Sequence, residues 1–412
     1  MSPSGITPDT DDAVATGQLT QDAAARRWSI PAPSRLPLPA VGVMIYAGIR
    51  LLSLVTAVFM LRHGTYRQRG VSLTQWITGG DGGYYRAIAA HGYQYPPGQA
   101  AHAAVFSLFP GYPAAIDSLA WIPGVSIALA GFAVTILAGM AAAWGLVALG
   151  LKLTADPRIS LLLVAIWAVA PGSVALSREH AEALFCALAV WTLVALVNRR
   201  WLTAAALTVL AGTVRSTALA LVAAVAVAVL ATLIQVPPTR QRIALWWRPV
   251  AALLLAPLGL LGYWAYVALA TRRLDGWFWI ENHVFHMSFD WGIGTVRVIE
   301  HTFLDAPSVA VVLVTMAFLS ALGLTAWSLT ERGVPVYLHA YTVVVAFTAF
   351  ATSANWMSSK PRFILPAFLL ALPIARLLAP ARTSVLVPLV AVLTVATTWF
   401  GLYLLVIAHW AS

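Results

Sequence analysis

Asp81 stands in the run Gly79-Gly80-Asp81-Gly82-Gly83-Tyr84-Tyr85-Arg86, with two glycines on either side and a pair of tyrosines after it. Glycines allow a tight turn and a close approach of backbone to ligand. A carboxylate held there beside aromatic rings suits general-base removal of a proton from a sugar hydroxyl. The competing role is an N-terminal cap for the segment that follows. From Gly83 to His91 the pattern predicts a short amphipathic helix at a membrane interface, with Tyr84, Tyr85 and Ile88 offered to lipid. A second group is Asp275-Gly276-Trp277-Phe278-Trp279-Ile280-Glu281-Asn282-His283-Val284-Phe285-His286. Its aromatics can stack on sugar faces or anchor an interface. His283 and His286, three apart, share a helical face, but no third ligand accompanies them. No metal site or cofactor is expected, although a divalent ion is not excluded. Among the cations, Arg215 interrupts an apolar stretch from Trp201 to Val236. It is either a phosphate ligand, since arginine binds phosphate bidentately, or the polar turn of a short hairpin. Lys360 and Arg362 precede another apolar run and either hold a phosphate or snorkel to the interface. Arg50, inside the first apolar run, is expected to be paired within the protein.

The elements that must position these groups follow from composition. The 412 residues include only 25 Lys and Arg and 15 Asp and Glu, and 60% are apolar. Soluble domains are about a quarter charged, so the chain is an all-α polytopic membrane protein. A lone cysteine, Cys186, excludes a disulfide framework. The net charge of +10 comes from basic residues scattered singly or in pairs between apolar runs, which points to membrane orientation and not to nucleic acid. Residues 1–36 are polar and read as a disordered cytoplasmic tail. No signal peptide is expected. Residues 37–412 form one transmembrane domain. Spans are expected at 38–61, 125–150, 159–176, 217–236, 250–270, 308–329, 335–352, 363–379 and 384–408, with shorter ones at 183–197 and 201–213. Segment 103–121, with Pro110, Pro113 and Asp117, either crosses or only dips in. The total is about eleven or twelve.

Two long polar-aromatic loops, 62–102 and 271–306, break this rhythm. They hold six of the fifteen acids (Asp81, Asp275, Glu281, Asp290, Glu300, Asp305) and six of the nine histidines (His63, His91, His102, His283, His286, His301). Both loops fall on the same, non-cytoplasmic face however 103–121 is treated. If 103–121 is re-entrant, Lys152, Arg158, Arg199 and Arg200 lie inside and the loop with Glu179, His180 and Glu182 lies outside. The positive-inside rule favours that arrangement, with Arg62, Arg67 and Arg69 against it. If 103–121 spans, residues 201–236 must be one long helix.

Asp81 with its aromatic pair, Ile88-Ala89, Gly92-Tyr93 and Phe109-Pro110-Gly111-Tyr112-Pro113 resemble the PIG-V type of mannosyltransferase, in the GT-C glycosyltransferase superfamily. The family contains the second mannosyltransferase of GPI-anchor synthesis and its bacterial relatives. The resemblance continues with Glu182-Ala183-Leu184-Phe185, Arg215-Ser216-Thr217-Ala218 and Pro361-Arg362-Phe363-Ile364-Leu365-Pro366-Ala367-Phe368, in family order over roughly residues 40–380. Three departures stand out. Gly80 replaces a usual Trp, Tyr84-Tyr85 replaces Trp-Tyr, and His283 occupies the neighbourhood of a family Gln.

The resemblance implies transfer of mannose, or another hexose, from a polyprenyl-phosphate donor to a glycolipid, lipoglycan or glycoprotein acceptor. It implies inversion, with Asp81 as the base, and Arg215, Lys360 and Arg362 on the donor phosphate. Sugar and acceptor contacts are assigned to Tyr84, Tyr85, His91, Tyr93, Glu182, Trp279, Glu281 and His283. The chain has no P-loop lysine after its glycines, which agrees with a lipid-linked donor. Membrane lipids and the two substrates are the expected partners. The Ala/Val/Arg-rich composition points to a GC-rich bacterial genome and so to the plasma (inner) membrane, and the resemblance is to a bacterial, actinobacterial member of the family. The alternatives are a transporter or flippase of a lipid-linked sugar, or a non-catalytic partner subunit.

Overall fold

The computed structural model describes residues 36–93, 104–235, 243–305 and 307–408. The expected tail, except Leu36, and His102 lie outside the described residues. Among those described the chain is helical, and β pairing is limited to an isolated bridge between Phe289 and Thr352.

Among the described residues, six helices are long and apolar enough to cross a bilayer: Leu38–Leu61, Ile127–Thr154, Ser216–Ile234, Trp246–Thr271, Val309–Ser328 and Thr383–Ile407. The chain is thus a multi-pass membrane protein. A bent pair, Met357–Phe363 and Phe368–Leu378, turns by 84° and is either a broken span or a re-entrant loop. Four shorter apolar helices complete the bundle: Pro157–Ala168, Glu182–Val197, Trp201–Gly212 and Val336–Ala351. With the bent pair and these four counted, the described residues hold eleven apolar segments, the lower of the two numbers expected.

The long helices are sorted by face. Along Leu38–Leu61, the stripe Leu51, Val55 and Phe59 is exposed, as a lipid-facing surface should be, while Tyr46, Arg50, Ser53 and Ala57 point inward. Water is absent from a bilayer core, so the inward polar groups must find protein partners. Arg50 donates to the carbonyls of Ser173 (2.7 Å) and Ala168 and to Ser177 Oγ (3.2 Å), as expected of a cation paired inside the bundle. Thr398 of the last helix meets Ser53 at 2.8 Å. Such hydrogen bonds, with close contacts at small residues, hold apolar helices together where lipid offers no hydrophobic contrast.

Contacts between loops define two ends of the bundle. At one end Leu61 and Trp76 pack with Leu402 and Val406. At the other, Arg158 reaches the carbonyl of Ala381, and Arg376 pairs with Glu331 at 2.9 Å. Segment 103–121 belongs to the first end and does not cross. Its helix, Gly111–Ala120, has ten residues, about 15 Å against a hydrocarbon core of about 30 Å. Gly111 N–H donates to the carbonyl of Thr213 (2.6 Å), and Tyr112 Oη donates to Gly131 O at 2.9 Å, in the second turn of Ile127–Thr154. The segment therefore dips in and returns. Residues 201–234 are accordingly two helices broken at Thr213–Arg215, not one.

The short helices matter for depth. Twelve to sixteen residues rise only about 18–24 Å. Ala168, Glu182, Gly212 and Ala351 all end at the first face of the bundle.

Candidate active site

Two helices in succession deliver Asp81. Ser72 opens Leu73–Thr78 with a capping box: its Oγ accepts from Gln75 N–H (3.1 Å), and its own N–H donates to Gln75 Oε1 (2.8 Å). The helix ends at Gly79. Gly80 takes φ +66°, a conformation costly for any side-chain-bearing residue, and the helix Asp81–His91 begins immediately. Asp81 is not the cap. Its Oδ2 accepts from Arg362 Nη1 at 3.0 Å, across 281 positions of sequence.

That contact starts a chain of charges. Arg362 Nε lies 3.2 Å from Glu182 Oε1, and the same oxygen accepts from Arg215 Nη1 at 2.6 Å. The Glu182 side chain is 1% exposed, Arg362 9%, Arg215 17% and Asp81 29%, so the line is buried at its centre and most open at Asp81. Arg215 sits in the break before the 3-10 turn Ser216–Ala218, which the sequence marked as a lone cation in an apolar stretch. Both guanidinium carbons stand over the Phe363 ring, at 5.8 and 5.5 Å.

Glu281, from the second loop, completes the group electrostatically. Burial pushes its carboxyl up to about 8, the nearby Asp81 charge pushes the same way, and Arg215 opposes. It is therefore protonated at neutral pH and can donate a hydrogen bond. Tyr85 is buried behind Asp81, its phenol raised well above the usual range by burial. Tyr85 and Ile88, expected to face lipid, instead point into the protein, Tyr85 edge-on to Tyr112 at 4.9 Å. The reason is that Asp81–His91 packs on Gly111–Ala120, so its apolar face meets protein.

The structure thus gathers Asp81, Tyr85, Glu182, Arg215, Glu281 and Arg362, and leaves the other expected residues elsewhere. Lys360 is fully buried, and its ammonium donates to the carbonyls of Ala349 (2.7 Å), Phe350 (3.3 Å) and Thr352 (2.6 Å). All three donors are committed to closing the C-terminus of Val336–Ala351, so Lys360 is a helix cap and offers nothing to a phosphate. Tyr84 is exposed, and His91 lies at the far end of its helix. Tyr93 belongs to an aromatic wall with Phe106, Tyr263 and Tyr266, its hydroxyl donating to Leu108 O at 2.6 Å. Trp279 and exposed His283 stack on each other at 4.5 Å, one turn apart on Gly276–His283. Among the described residues no set of three His, Cys, Asp or Glu side chains converges as a metal site.

Four further titratable residues stand beside this group: Glu179 and His180, which in the sequence mark only sidedness, and Arg178 and Arg86, which no sequence motif singles out. Arg178, 2% exposed, donates from Nε to Trp76 O (2.8 Å) and from Nη2 to Gly79 O (3.1 Å). Burial lowers its guanidinium to about 10, still charged at neutral pH. Glu179 pairs with Arg86 (3.1 Å), and burial raises its carboxyl to about 7. Burial likewise lowers His180 to about 4, so that imidazole is neutral. The available signal was the run Arg178-Glu179-His180-Ala181-Glu182, four titratable residues between two apolar segments.

No family model matches the chain, and no curated protein matches it. Among solved structures it is similar to the crystal structure of ArnT from Cupriavidus metallidurans bound to undecaprenyl phosphate, with 13% identity and a TM-score of 0.48. The alignment covers 81% of this chain and spans 59% of the length of that one.

Proposed function

We propose that the chain is a GT-C-type membrane glycosyltransferase that moves a hexose, mannose by its motif resemblance, from a polyprenyl-phosphate donor to a hydroxyl-bearing acceptor. The observation that carries this reading is the line Asp81–Arg362–Glu182–Arg215, an acid at an open end and two guanidiniums around one buried carboxylate, sunk among the ends of short apolar helices. A lipid-linked phosphate needs cations at membrane depth, and a sugar hydroxyl needs a base beside them.

The transfer balances on these groups. The acceptor oxygen attacks the anomeric carbon, its proton passes to an Asp81 carboxylate oxygen, and the bond from carbon to phosphate oxygen breaks. A single displacement of this kind inverts the anomeric centre. Negative charge grows on the departing polyprenyl phosphate, where Arg215 and Arg362 meet it. With Glu281 neutral, Asp81 and Glu182 offset two of the three cations Arg178, Arg215 and Arg362. The site keeps an excess positive charge for the phosphate. Glu182 sets the angle between the two guanidiniums. Glu281, a donor, suits a sugar or acceptor oxygen opposite Asp81.

The acceptor class is a glycolipid, lipoglycan or glycoprotein, and the site faces the non-cytoplasmic side of the plasma membrane. The test is transfer by the purified chain from polyprenyl-phosphate-mannose. Asp81→Asn should lower the rate at least about a thousandfold, at the upper part of the range for a lost general base, with an unchanged melting temperature. Full activity in that variant overturns the assignment.

A further inference from the structure

The segment 178–179 straddles the join between the two helices that present Asp81. Leu73–Thr78 has only six residues, too few to satisfy its own C-terminal carbonyls. Arg178 takes two carbonyls at that end, Trp76 O and Gly79 O, while Glu179 N–H donates to Ile77 O at 3.0 Å. On the other side of the join, the Glu179 carboxylate holds Arg86 of Asp81–His91. Gly82, next to Asp81, lies so close that an added Cβ would meet Glu179 Cβ at 3.0 Å and its carbonyl oxygen at 3.1 Å. Trp76 is itself fully buried against the last helix through Leu402 and Val406. The turn carrying Asp81 is therefore fixed at both ends by two consecutive residues from a different part of the bundle.

A guanidinium is needed for the first half of this arrangement. Its planar fork directs two donors to carbonyls three residues apart, whereas a lysine ammonium is a point charge on a flexible stem. Withdrawing a guanidinium from water costs several kcal/mol, which a residue that only fills space would not justify. Two of the Arg178 donors are committed to backbone carbonyls and not to a phosphate.

We propose that Arg178 is a positioning residue for Asp81, acting by clamping the Trp76–Gly79 turn from which the Asp81 helix starts. As a statement about catalysis this rests on the proposed transfer. As a statement about the turn it does not. The effect expected from freeing the turn is that of misplacing a reacting group by about 1 Å, near a hundredfold in rate.

The experiment uses the full chain in nanodiscs as wild type, Arg178→Lys, Arg178→Met and Asp81→Asn. Amide exchange and steady-state transfer from polyprenyl-phosphate-mannose are measured on each. Arg178→Met should raise exchange at least tenfold across residues 77–85 while Ile127–Thr154 and Glu182–Val197 stay protected. Its kcat should fall about a hundredfold with KM for the donor within twofold. Arg178→Lys, which keeps the charge but not the planar fork, should recover part of both and remains the test should the methionine variant fail to fold. Unchanged exchange over 77–85 overturns the clamp, as does loosening spread evenly over the bundle. Wild-type kcat in a loosened Arg178 variant, with Asp81→Asn inactive, overturns its bearing on Asp81. If Asp81→Asn is fully active, the transferase reading falls, and the exchange data alone decide the clamp.

Discussion

The two polar loops on the same face of the bundle are built in opposite ways. In the first, Asp81 and Arg86 pair with partners far away in sequence and withdrawn from water: the side chains of those partners, Arg362 and Glu179, are 9% and 0% exposed. In the second, the ion pairs are local and wet. Arg273 pairs with Asp275 at side-chain exposures of 47% and 61%, and His301 with Asp305 at 71% and 64%. Asp290 accepts from the N–H groups of Gly292 and Gly294 and starts the helix Ile293–Leu304. Among its acids, Glu281 is the one whose titration is governed by burial and by Asp81. Richness in titratable residues thus marks both loops, but burial with distant partners marks the one that a bundle cannot lose.

The largest test of that contrast is Glu182→Ala. It leaves Arg215 and Arg362 facing each other without the carboxylate between them, and breaking a buried pair in this way costs about 3–5 kcal/mol. The variant should melt well below wild type in detergent and have no transfer activity. A melting temperature within a degree of wild type would show that water screens the cluster. Next comes Arg362→Lys, which keeps the charge but not the fork that reaches Asp81 and Glu182 together. Its kcat should drop about a hundredfold, as for loss of one transition-state donor, with stability changed far less than by Glu182→Ala.

Gly82→Ala probes packing and not charge. The new Cβ would lie 3.0–3.3 Å from three atoms of Glu179, an overpacking that costs about 1–3 kcal/mol. Gly83→Ala is its control, since nothing lies within 4 Å of that position. Equal melting curves for the two would mean that the Asp81 helix shifts freely against 178–179.

What could be read from the sequence separates along the same line. Membrane residence, the two loops and the residues Asp81, Glu182, Arg215 and Arg362 were visible because each acid or cation interrupts an apolar or glycine-rich stretch. Contacts to backbone carbonyls carry no such signal. Lys360 and Arg362 look equivalent two residues apart, yet one caps a helix and the other reaches Asp81. The inward turn of Tyr85 and Ile88 was also hidden, because an amphipathic pattern does not say whether its apolar face meets lipid or a re-entrant neighbour. The number of crossings is harder to read for a related reason: helices of twelve to sixteen residues resemble buried segments as much as membrane crossings.

The acid at position 179 allows a test by pH alone. Its carboxyl is raised from 4.5 to about 7 by burial, so the folded chain binds that proton more tightly than the unfolded one does. The stability it contributes is full below pH 4.5 and is lost as pH rises through 7. Glu179→Gln removes the ionisation. The variant should match wild type near pH 5 and gain on it towards pH 8, by at most about 3 kcal/mol. A difference that does not change with pH would place Arg86 close enough to cancel the burial.

The smallest effect belongs to the second loop. Asp275 has its carboxyl lowered by the hydrogen bonds from Arg273, but the pair stands in water, where such contacts contribute little and are screened by salt. Asp275→Asn should therefore leave the melting temperature and kcat within error of wild type at 150 mM salt. The Arg273 guanidinium also lies 5.2 Å from the Trp279 ring, a contact that survives this substitution. Arg273→Ala removes both contacts, so any larger effect it has measures the stacking and not the ion pair. If Asp275→Asn instead costs as much as Gly82→Ala, the second loop is held by its own charges after all, and burial would no longer distinguish the two loops.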